Sequence, residues 1–520
     1  MMAFVAIIFR VFWLSTGENA AFAKSVIGSR QTDLTLYHTK GIIYDSELRP
    51  LAGNQPCYYL VIDPRNFDSR NVKTIASACN ADAEILNQKI KKETPFVLKS
   101  EKPFRQIEGI ICYEGVCRYS GYASHLIGYL DSAGQVGLAG VEKEFNDYLN
   151  LFSSSVSIEY EADALNGMIP TEELTLKAND STNNGLILTL DQSLCKALEE
   201  SMNQHIQKGA AIILDCKSGE IKALCSRPDY EEDRIADYLS SENGELINRA
   251  LSSQVVGSVF KIVVTAAALE AGLGDFIYSC SGGIMISEKM IACHDHKGHG
   301  EIGLKDAFSE SCNSYFIALG QMLGGEAILE MANRFGFGQS FDIIGSISAS
   351  KGNLPDEAGG LSLANLSIGQ GELIASPLQI ARMTAAIANG GTLLPINAYK
   401  GLYLNEKIKE PEEKIAGKKI LSEEIAKIIQ GFCIETVETG TGTAAKPSIG
   451  LAGGKTSSAE TGIIKNGKEQ LNVYFTGFYP AEDPQYVITV FAEDGVSGGK
   501  TCGPVFQEVC DFIGENFLTP

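Results

Sequence analysis

The 520-residue sequence has no basic surplus. Its 43 Lys and Arg stand against 64 Asp and Glu, a formal charge of −21. It therefore lacks the electropositive face that binds phosphates, and nucleic acid is excluded as a partner. It also lacks an apolar run of the roughly 20 residues that a membrane-spanning helix needs. The nearest approach, Met2 to Leu14, is shorter and is interrupted by Arg10. That charge lies inside the run rather than before it, which is not the order of a secretory signal, although Ala20-Ala21-Phe22-Ala23 offers a cleavage-like stretch. A marginal anchor, the tail of an anchor that starts upstream and a buried helix all fit this run. The expectation is a single N-terminal anchor over residues 1–16. Cysteine is present without the dense spacing of a small disulfide scaffold. Thirteen is an odd number, so at least one thiol stays unpaired within the chain. Cys112/Cys117, Cys280/Cys293 and Cys502/Cys510 are candidate local pairs that spacing alone does not establish.

What is present suits a large folded protein. Apolar residues make up 44% and charged residues 21%, which supports a sizeable core, and the length suggests two or three domains. Residues 17–165 alternate short β-rich runs, such as Tyr58-Tyr59-Leu60-Val61-Ile62, with helical stretches at Ala76 to Lys91 and Gly140 to Leu151. They contain no catalytic grouping and read as a pedestal or interaction domain. Residues 166–185 are polar, carry Pro170, and read as a linker. A second domain, 186–520, opens with a strand at Leu186 to Leu190, a helix at Gln192 to Gln207, and a hairpin whose arms are Ala210 to Asp215 and Ile221 to Cys225. That order suggests an antiparallel sheet with helices packed on it.

The chemistry centres on Val256 to Gly272, an Ala- and Val-rich helix with Ser258 at its start. Lys261 lies three residues on, so it shares a helix face with the serine. A serine hydroxyl is inert until a neighbour takes its proton, and a desolvated lysine of lowered pKa can do so. Ser-x-x-Lys alone is more often an N-cap beside a surface charge. The same spacing at Ser193/Lys196, Ser348/Lys351 and Ser497/Lys500 is assigned to chance. Ser311-Cys312-Asn313 places two polar side chains on one tight turn, Ser311 to relay a proton and Asn313 to donate to an amide carbonyl. Lys455-Thr456-Ser457-Ser458 lies in an edge strand over Ile449 to Ala459. There Lys455 would supply positive field and Thr456 a hydroxyl for a carboxylate, while the amides of Ser258 and Ser458 could form an oxyanion hole. The segment Cys293 to Gly300 holds three of the six histidines, so zinc is a possibility. Its ligands are crowded, however, and the expectation is a polar surface loop with no metal.

The order Ser-x-x-Lys, Ser-x-Asn, Lys-Thr-Ser within one domain resembles the penicillin-recognising enzymes. Further stretches resemble class B penicillin-binding proteins, the monofunctional peptidoglycan D,D-transpeptidases. They are Lys40 to Asp45, Gly128 to Leu130 with Gly137 to Glu142, Ser367 to Glu372 with Ser376 to Gln379, Glu438 to Ala444, and Phe475 to Pro480. The resemblance implies an α+β fold: a penicillin-binding transpeptidase domain with an antiparallel sheet, packed helices and an all-helical subdomain, preceded by an elongated mixed pedestal. It implies that Ser258 attacks a stem peptide ending in D-Ala-D-Ala with Lys261 as base, and that β-lactam antibiotics acylate the same serine. Ser311, Asn313 and Lys455 would complete the catalytic set, and Thr456, Ser457 and Ser458 would border the substrate. No metal or organic cofactor is implied. A membrane-bound glycan polymerase is an expected partner, and the catalytic domain is expected outside the cytoplasm.

Three departures from the family pattern stand out: Val256 where proline is usual, Asp45-Ser46-Glu47-Leu48 in place of the usual Asp-Arg-Asn-Gly turn, and Ser457 where glycine is usual. A side chain at 457 could crowd the substrate, and would be strained at positive φ. Two alternatives therefore stay open. One is a D,D-carboxypeptidase or β-lactamase of the same superfamily. The other is a non-catalytic scaffold of a cell-wall synthesis complex.

Overall fold

The computed structural model describes residues 4–7, 9–10, 31–53, 55–105, 107–118, 121–163, 166–169, 174–178, 183–411, 416–465 and 467–518. Most of the anchor expected at 1–16, and the stretch at 20–23, lie outside these. Among the described residues no helix is long and apolar enough to cross a membrane.

The chain divides into two compact units that interleave in sequence. The first comprises Met1–Ile42, Gly53–Tyr119 and Asp147–Asn183, and the second Ile43–Ala52, Ser120–Asn146 and Asn184–Pro520. The contiguous pedestal expected over 17–165 is corrected accordingly: segments 43–52 and 120–146 pack in the second unit. The reason is visible at Ile43, whose strand pairs with Pro50–Ala52 and joins a five-stranded sheet completed by Gly185–Leu188, Tyr399–Leu404 and Lys407–Lys409.

In the first unit, strand Gln31–Thr39 pairs antiparallel with Ser154–Glu161. Thr175–Ala178, inside the stretch read as a linker, extends this sheet as its third strand. Strand Gln55–Ile62 lies between Phe96–Ser100 and Ile110–Cys117. Its alternation divides two cores. Cys57, Tyr59 and Val61 pack with Leu36, Val156 and Ile158, whereas Leu60 and Ile62 pack with Val72, Ile75 and Leu86. The helix expected over 76–91 is two helices, Val72–Ala78 and Ala83–Ile90. Asn80 at φ +47° breaks the first, and Asp82 caps the second.

None of the thirteen cysteines is in a disulfide. Cys112 and Cys117 lie on one strand, where five residues span roughly 17 Å and reverse the face, so they cannot pair. Cys502 immediately precedes the helix that carries Cys510, and eight residues at about 1.5 Å rise separate them by roughly 12 Å.

The second unit is built on an antiparallel sheet. Strands β1 (Gly209–Asp215) and β2 (Ile221–Arg227) form the expected hairpin, and β3 (Gly453–Lys465), β4 (Lys468–Tyr479) and β5 (Tyr486–Ala492) complete it in the order β2-β1-β5-β4-β3. The helices are α1 (Gln192–His205), α2 (Lys261–Glu270), α3 (Leu304–Ser309), α4 (Asn313–Leu323), α5 (Pro377–Ala388), α6 (Glu423–Glu438) and α7 (Gly503–Asn516). Helices α5 and α7 cover opposite faces. Thr476 on β4 bonds Thr384 of α5 at 2.8 Å, while its neighbours Phe475 and Gly477 meet Phe506 of α7. Helix α1 packs beside α7, and α6 lies against β3. Side-chain caps fix three helix starts: Asp191 for α1, Ser376 ahead of Pro377 for α5, and Ser422 for α6.

One buried ion pair ties α1 to the sheet. The Arg227 guanidinium on β2 bonds the Glu199 carboxylate on α1, and also Asn203 Oδ1 at 2.8 Å and the Ser226 carbonyl at 2.9 Å. Both side chains are at most 10% exposed. Removing one partner strands the other charge in the interior, at a cost of about 3–5 kcal/mol. Glu199→Ala is therefore expected to lower the thermal midpoint sharply, as read by differential scanning calorimetry. An unchanged midpoint would refute the pair's role.

Candidate active site

The catalytic serine predicted from sequence lies where the polypeptide turns into α2. Gly257 adopts φ +65°, and residues Gly257–Phe260 form a 3₁₀ turn that runs directly into the helix at Lys261. The Gly257 N–H donates to the Gly369 carbonyl at 2.8 Å. The turn leaves the Ser258 N–H at the helix entrance, where amides lack intrahelical acceptors and the dipole is positive.

Lys261 is completely buried. Its Nζ donates to the Ser311 carbonyl at 2.8 Å, to Ser311 Oγ at 3.2 Å and to Asn313 Oδ1 at 2.8 Å, and it sits over the Phe316 ring. No hydrogen bond from Nζ to Ser258 Oγ accompanies these. The side chain is committed to the Ser311–Asn313 turn, a partner that spacing along the helix could not reveal. Burial depresses the Lys261 pKa from 10.5 to about 7, against the opposing pull of the Cys312 and Cys293 thiols. An amine in that range is half neutral at physiological pH and can accept a proton.

Ser311 itself holds φ +54°, a left-handed conformation that costs a non-glycine residue about 1 kcal/mol or more. Its N–H bonds the Phe308 carbonyl at the end of α3. Cys312 then caps α4, of which Asn313 is the first residue. Ser258, Ser311 and Asn313 line one cleft of about 470 Å³, joined by Thr456, Ser457 and Ser458 of β3. Lys455 is the exception. It is fully buried, donates to the Thr456 carbonyl at 3.1 Å and lies over the Phe308 ring. Burial, and secondarily the nearby charge of Lys261, push its pKa well below the ordinary value. Its influence on the cleft is electrostatic rather than by contact.

The strand that carries these residues begins at Gly453, four residues later than the expected Ile449, and forms the open edge of the sheet. Ser457 has ordinary extended backbone geometry, with no positive φ. Its hydroxyl donates to the Val256 carbonyl at 2.9 Å and is buried. It fills the space that Gly257 leaves: a Cβ at 257 would come within 2.3 Å of Ser457 Oγ and 2.8 Å of Ala459 Cβ. Gly257→Ala is expected to displace Ser258 and slow acylation by a labelled penicillin at least tenfold. Adding Ser457→Gly should recover part of that rate, because one of the two clashes disappears. Equal rates for the single and double variants would show that the contact is irrelevant.

The cleft also contains residues that sequence reasoning did not assign: His294, Thr441, Thr443, Ser497 and Lys500. Thr441 shares a hydroxyl hydrogen bond with Thr456 at 2.7 Å. The Ser497/Lys500 spacing, assigned to chance, falls in the rim, where Ser497 Oγ accepts from the Lys500 N–H at the start of a π turn, Gly498–Cys502. Only the composition of the Glu438 to Ala444 stretch could have drawn attention to the threonines. Among the described residues, no Asp or Glu lines the cleft.

The loop expected to be a polar surface segment is partly buried. Cys293 is 1% exposed, and its Sγ lies 3.8 Å from that of Cys312 and 3.7 Å from His299 Nδ1. Cys280 joins them, and among the described residues these four are the group that could hold a metal ion.

The sequence profile described as "Penicillin binding protein transpeptidase domain" matches residues 209–511. Among known proteins, the chain is similar to Stage V sporulation protein D of Bacillus subtilis (strain 168), 28% identical over 560 residues, which cover 98% of this chain and 84% of that one. Peptidoglycan D,D-transpeptidase MrdA of Acinetobacter baumannii is 26% identical over 90% of this chain and 80% of its own. Among solved structures, Penicillin-Binding Protein (PBP2) from Helicobacter pylori superposes with a TM-score of 0.70 at 21% identity, over 94% of this chain and 100% of that one. The same protein in complex with MreC gives a TM-score of 0.66.

Proposed function

The chain belongs to the penicillin-binding protein transpeptidase family, as a class B peptidoglycan D,D-transpeptidase, and from this premise we propose that Ser258 is its nucleophile and Lys261 its general base. Ser258 Oγ attacks the carbonyl of the penultimate D-Ala of a stem peptide, and its proton passes to the neutral amine of Lys261. The Ser258 and Ser458 amides receive the developing oxyanion. Ser311 relays the proton from Lys261 to the departing D-Ala amine. Asn313 orients the substrate amide, and Thr456 binds the terminal carboxylate in the field of Lys455. An amine from a second stem peptide then attacks the ester, leaving a cross-link and free Ser258.

The observation that carries this reading is the shared cleft of Ser258, Ser311 and Asn313, with Lys261 bonded to the latter two. β-Lactams are expected to leave a long-lived ester. The test offers a D-Ala-D-Ala donor peptide together with a stem-peptide amine, and analyses the products by mass spectrometry. The cross-linked amide is expected. Donor hydrolysis alone would point to a carboxypeptidase.

The non-catalytic scaffold reading loses its motive, since the Ser457 hydroxyl is turned to Val256. We place the catalytic unit outside the cytoplasmic membrane on the N-terminal anchor, beside a glycan polymerase that supplies the strands to be linked.

A further inference from the structure

A second groove, of about 1000 Å³, lies beside the catalytic cleft, wholly within the second unit. It is lined by Thr461 and Ile463 from the outer half of β3, Asn472 of β4, Lys208 ahead of β1, the loop at Asn243 and Glu245, and Gln254, four residues before Ser258. Groove and cleft share a partition. Val496 and Thr501 line the groove, while Ser497 to Lys500 between them line the cleft. The Val496 N–H donates to Thr501 Oγ1 at 3.0 Å, which closes this loop on itself.

Glu245 carries an unmet charge in this groove. The residue is 9% exposed. Its Oε1 accepts from Ser241 Oγ at 2.9 Å and from Asn243 Nδ2 at 3.2 Å, whereas Oε2, also buried, has no partner among the described residues. A buried carboxylate oxygen without a donor is costly, and at a cavity wall it marks the position of a ligand. The Ser241 hydroxyl, followed by the Glu245 N–H and Asn243, holds the carboxyl below its ordinary range, so it is an anion at neutral pH. The loop is braced from behind, where His125 Nε2 lies 2.6 Å from the Glu245 carbonyl. Arg249 does not answer the charge. Its guanidinium is 4% exposed and committed to Glu493 at 2.6 Å and to the Gly244 and Asn243 carbonyls.

The chemistry of the groove selects a peptide that carries a free amine. An ammonium gives Oε2 the charged donor it lacks. Asn472 Nδ2 donates to Gln254 Oε1 at 3.1 Å, which leaves Asn472 Oδ1 and Gln254 Nε2 for the N–H and C=O of a peptide unit. Ile463 and Val496, 58% and 72% exposed, offer apolar surface to the methylenes that carry a side-chain amine. Glycans stack on aromatic rings, and among the described residues only the His205 imidazole lines the groove. We propose that this groove is a second peptide site, which holds an uncross-linked stem peptide by its free amine on Glu245. The proposal rests on the transpeptidase reading above, in which one stem peptide occupies the cleft and the amine of another attacks. A glycan strand carries stem peptides in series, so a peptide anchored in the groove keeps its neighbours on the same strand at high local concentration beside Ser258.

The test uses the full chain after acylation by a penicillin, so that the catalytic cleft is filled. The probe is Nα-acetyl-L-Ala-γ-D-Glu-L-Lys, whose only amine is on the lysine side chain and which lacks the D-Ala-D-Ala end of a donor. Isothermal titration calorimetry is expected to show one peptide bound per chain. Acetylating the lysine amine should weaken binding roughly tenfold or more, the worth of a hydrogen bond to a charged group, and Glu245→Gln should do the same. The acetylated probe makes the test on the unaltered protein, so it stands whether or not the variant folds. No binding to the acylated chain, equal affinity for the acetylated probe, or undiminished affinity in Glu245→Gln would each overturn the site. The penicillin adduct is read separately by intact mass. Its absence would count against Ser258, whereas loss of peptide binding with the adduct in place counts against the groove alone. In cross-linking, Glu245→Gln should raise the half-saturating concentration of an acceptor glycan chain about tenfold. An unchanged value would overturn the anchoring role.

Discussion

Ser258→Ala leaves the chain folded and removes the covalent adduct of a labelled penicillin. The expected fall in acylation is roughly a thousandfold or more, to background, as for other enzymes that lose their nucleophile. The cleft is crowded with hydroxyls, so the expectation has to be argued against its other serines and its paired threonines. Ser457 donates to the Val256 carbonyl, Thr441 and Thr456 bond one another, and Ser497 Oγ caps the turn at Lys500. Ser311 is held at positive φ against Lys261, and attack from it would break that arrangement. Ser458 is exposed on the sheet edge. Ser258 alone stands at a helix entrance one turn from a buried amine. Intact-mass analysis followed by peptide mapping reads the result directly. An adduct on Ser311 or Ser458 in wild type, or an undiminished adduct in Ser258→Ala, would refute the assignment. Circular dichroism controls for folding, and a small effect is expected there because the hydroxyl lies in the cleft rather than in the core.

The parts of this site that could be read from sequence are those whose geometry is local. A glycine, a serine and a lysine three residues on specify a turn into a helix with little reference to the rest of the chain, and the structure has that turn at Gly257–Phe260. The hairpin of β1 and β2 was equally legible, because Lys217 to Glu220 is a turn between two apolar runs. What escaped is non-local. The bonds of Lys261 run to residues fifty positions away. The four ligand atoms near Cys293 come from segments that no single spacing motif contains, so a crowded histidine loop concealed a cluster of which it supplies only Cys293 and His299. Segments 43–52 and 120–146 look like the flanking β-rich sequence, yet Asp45 bonds Arg49 and the Gln192 N–H, and thereby belongs with the second unit. Ser457 was the most misleading residue. A side chain in place of the family's usual glycine suggested a blocked strand, but along a β-strand successive side chains alternate, and this one faces inward to the space vacated by Gly257.

The acylation rate should rise tenfold per pH unit from pH 5 to about 7 and then level. On the proposed mechanism Lys261 acts as the neutral amine, and its pKa is depressed from 10.5 to about 7, chiefly by burial. Below that value the amine is protonated and cannot take the serine proton, and above it the reactive fraction saturates. At the ordinary lysine pKa the same rise would continue to beyond pH 10, so the position of the plateau measures the desolvation itself. Lys261→Arg distinguishes a base from a mere positive charge. Arginine retains the charge and can still reach Asn313, but it does not deprotonate in a protein. A loss of about 10²–10⁴-fold is expected, the usual contribution of a positioned base. If Lys261→Arg kept wild-type acylation, the positive field would be sufficient and the proton would have to go elsewhere. His294 also lines the cleft, and imidazole is the commonest general base, so the profile is repeated in His294→Gln. The same inflection there assigns it to Lys261, and its disappearance would transfer the base role to the histidine. Lys455 is no substitute in either case: it is fully buried, its amine donates to the Thr456 carbonyl, and it is not among the residues that line the cleft.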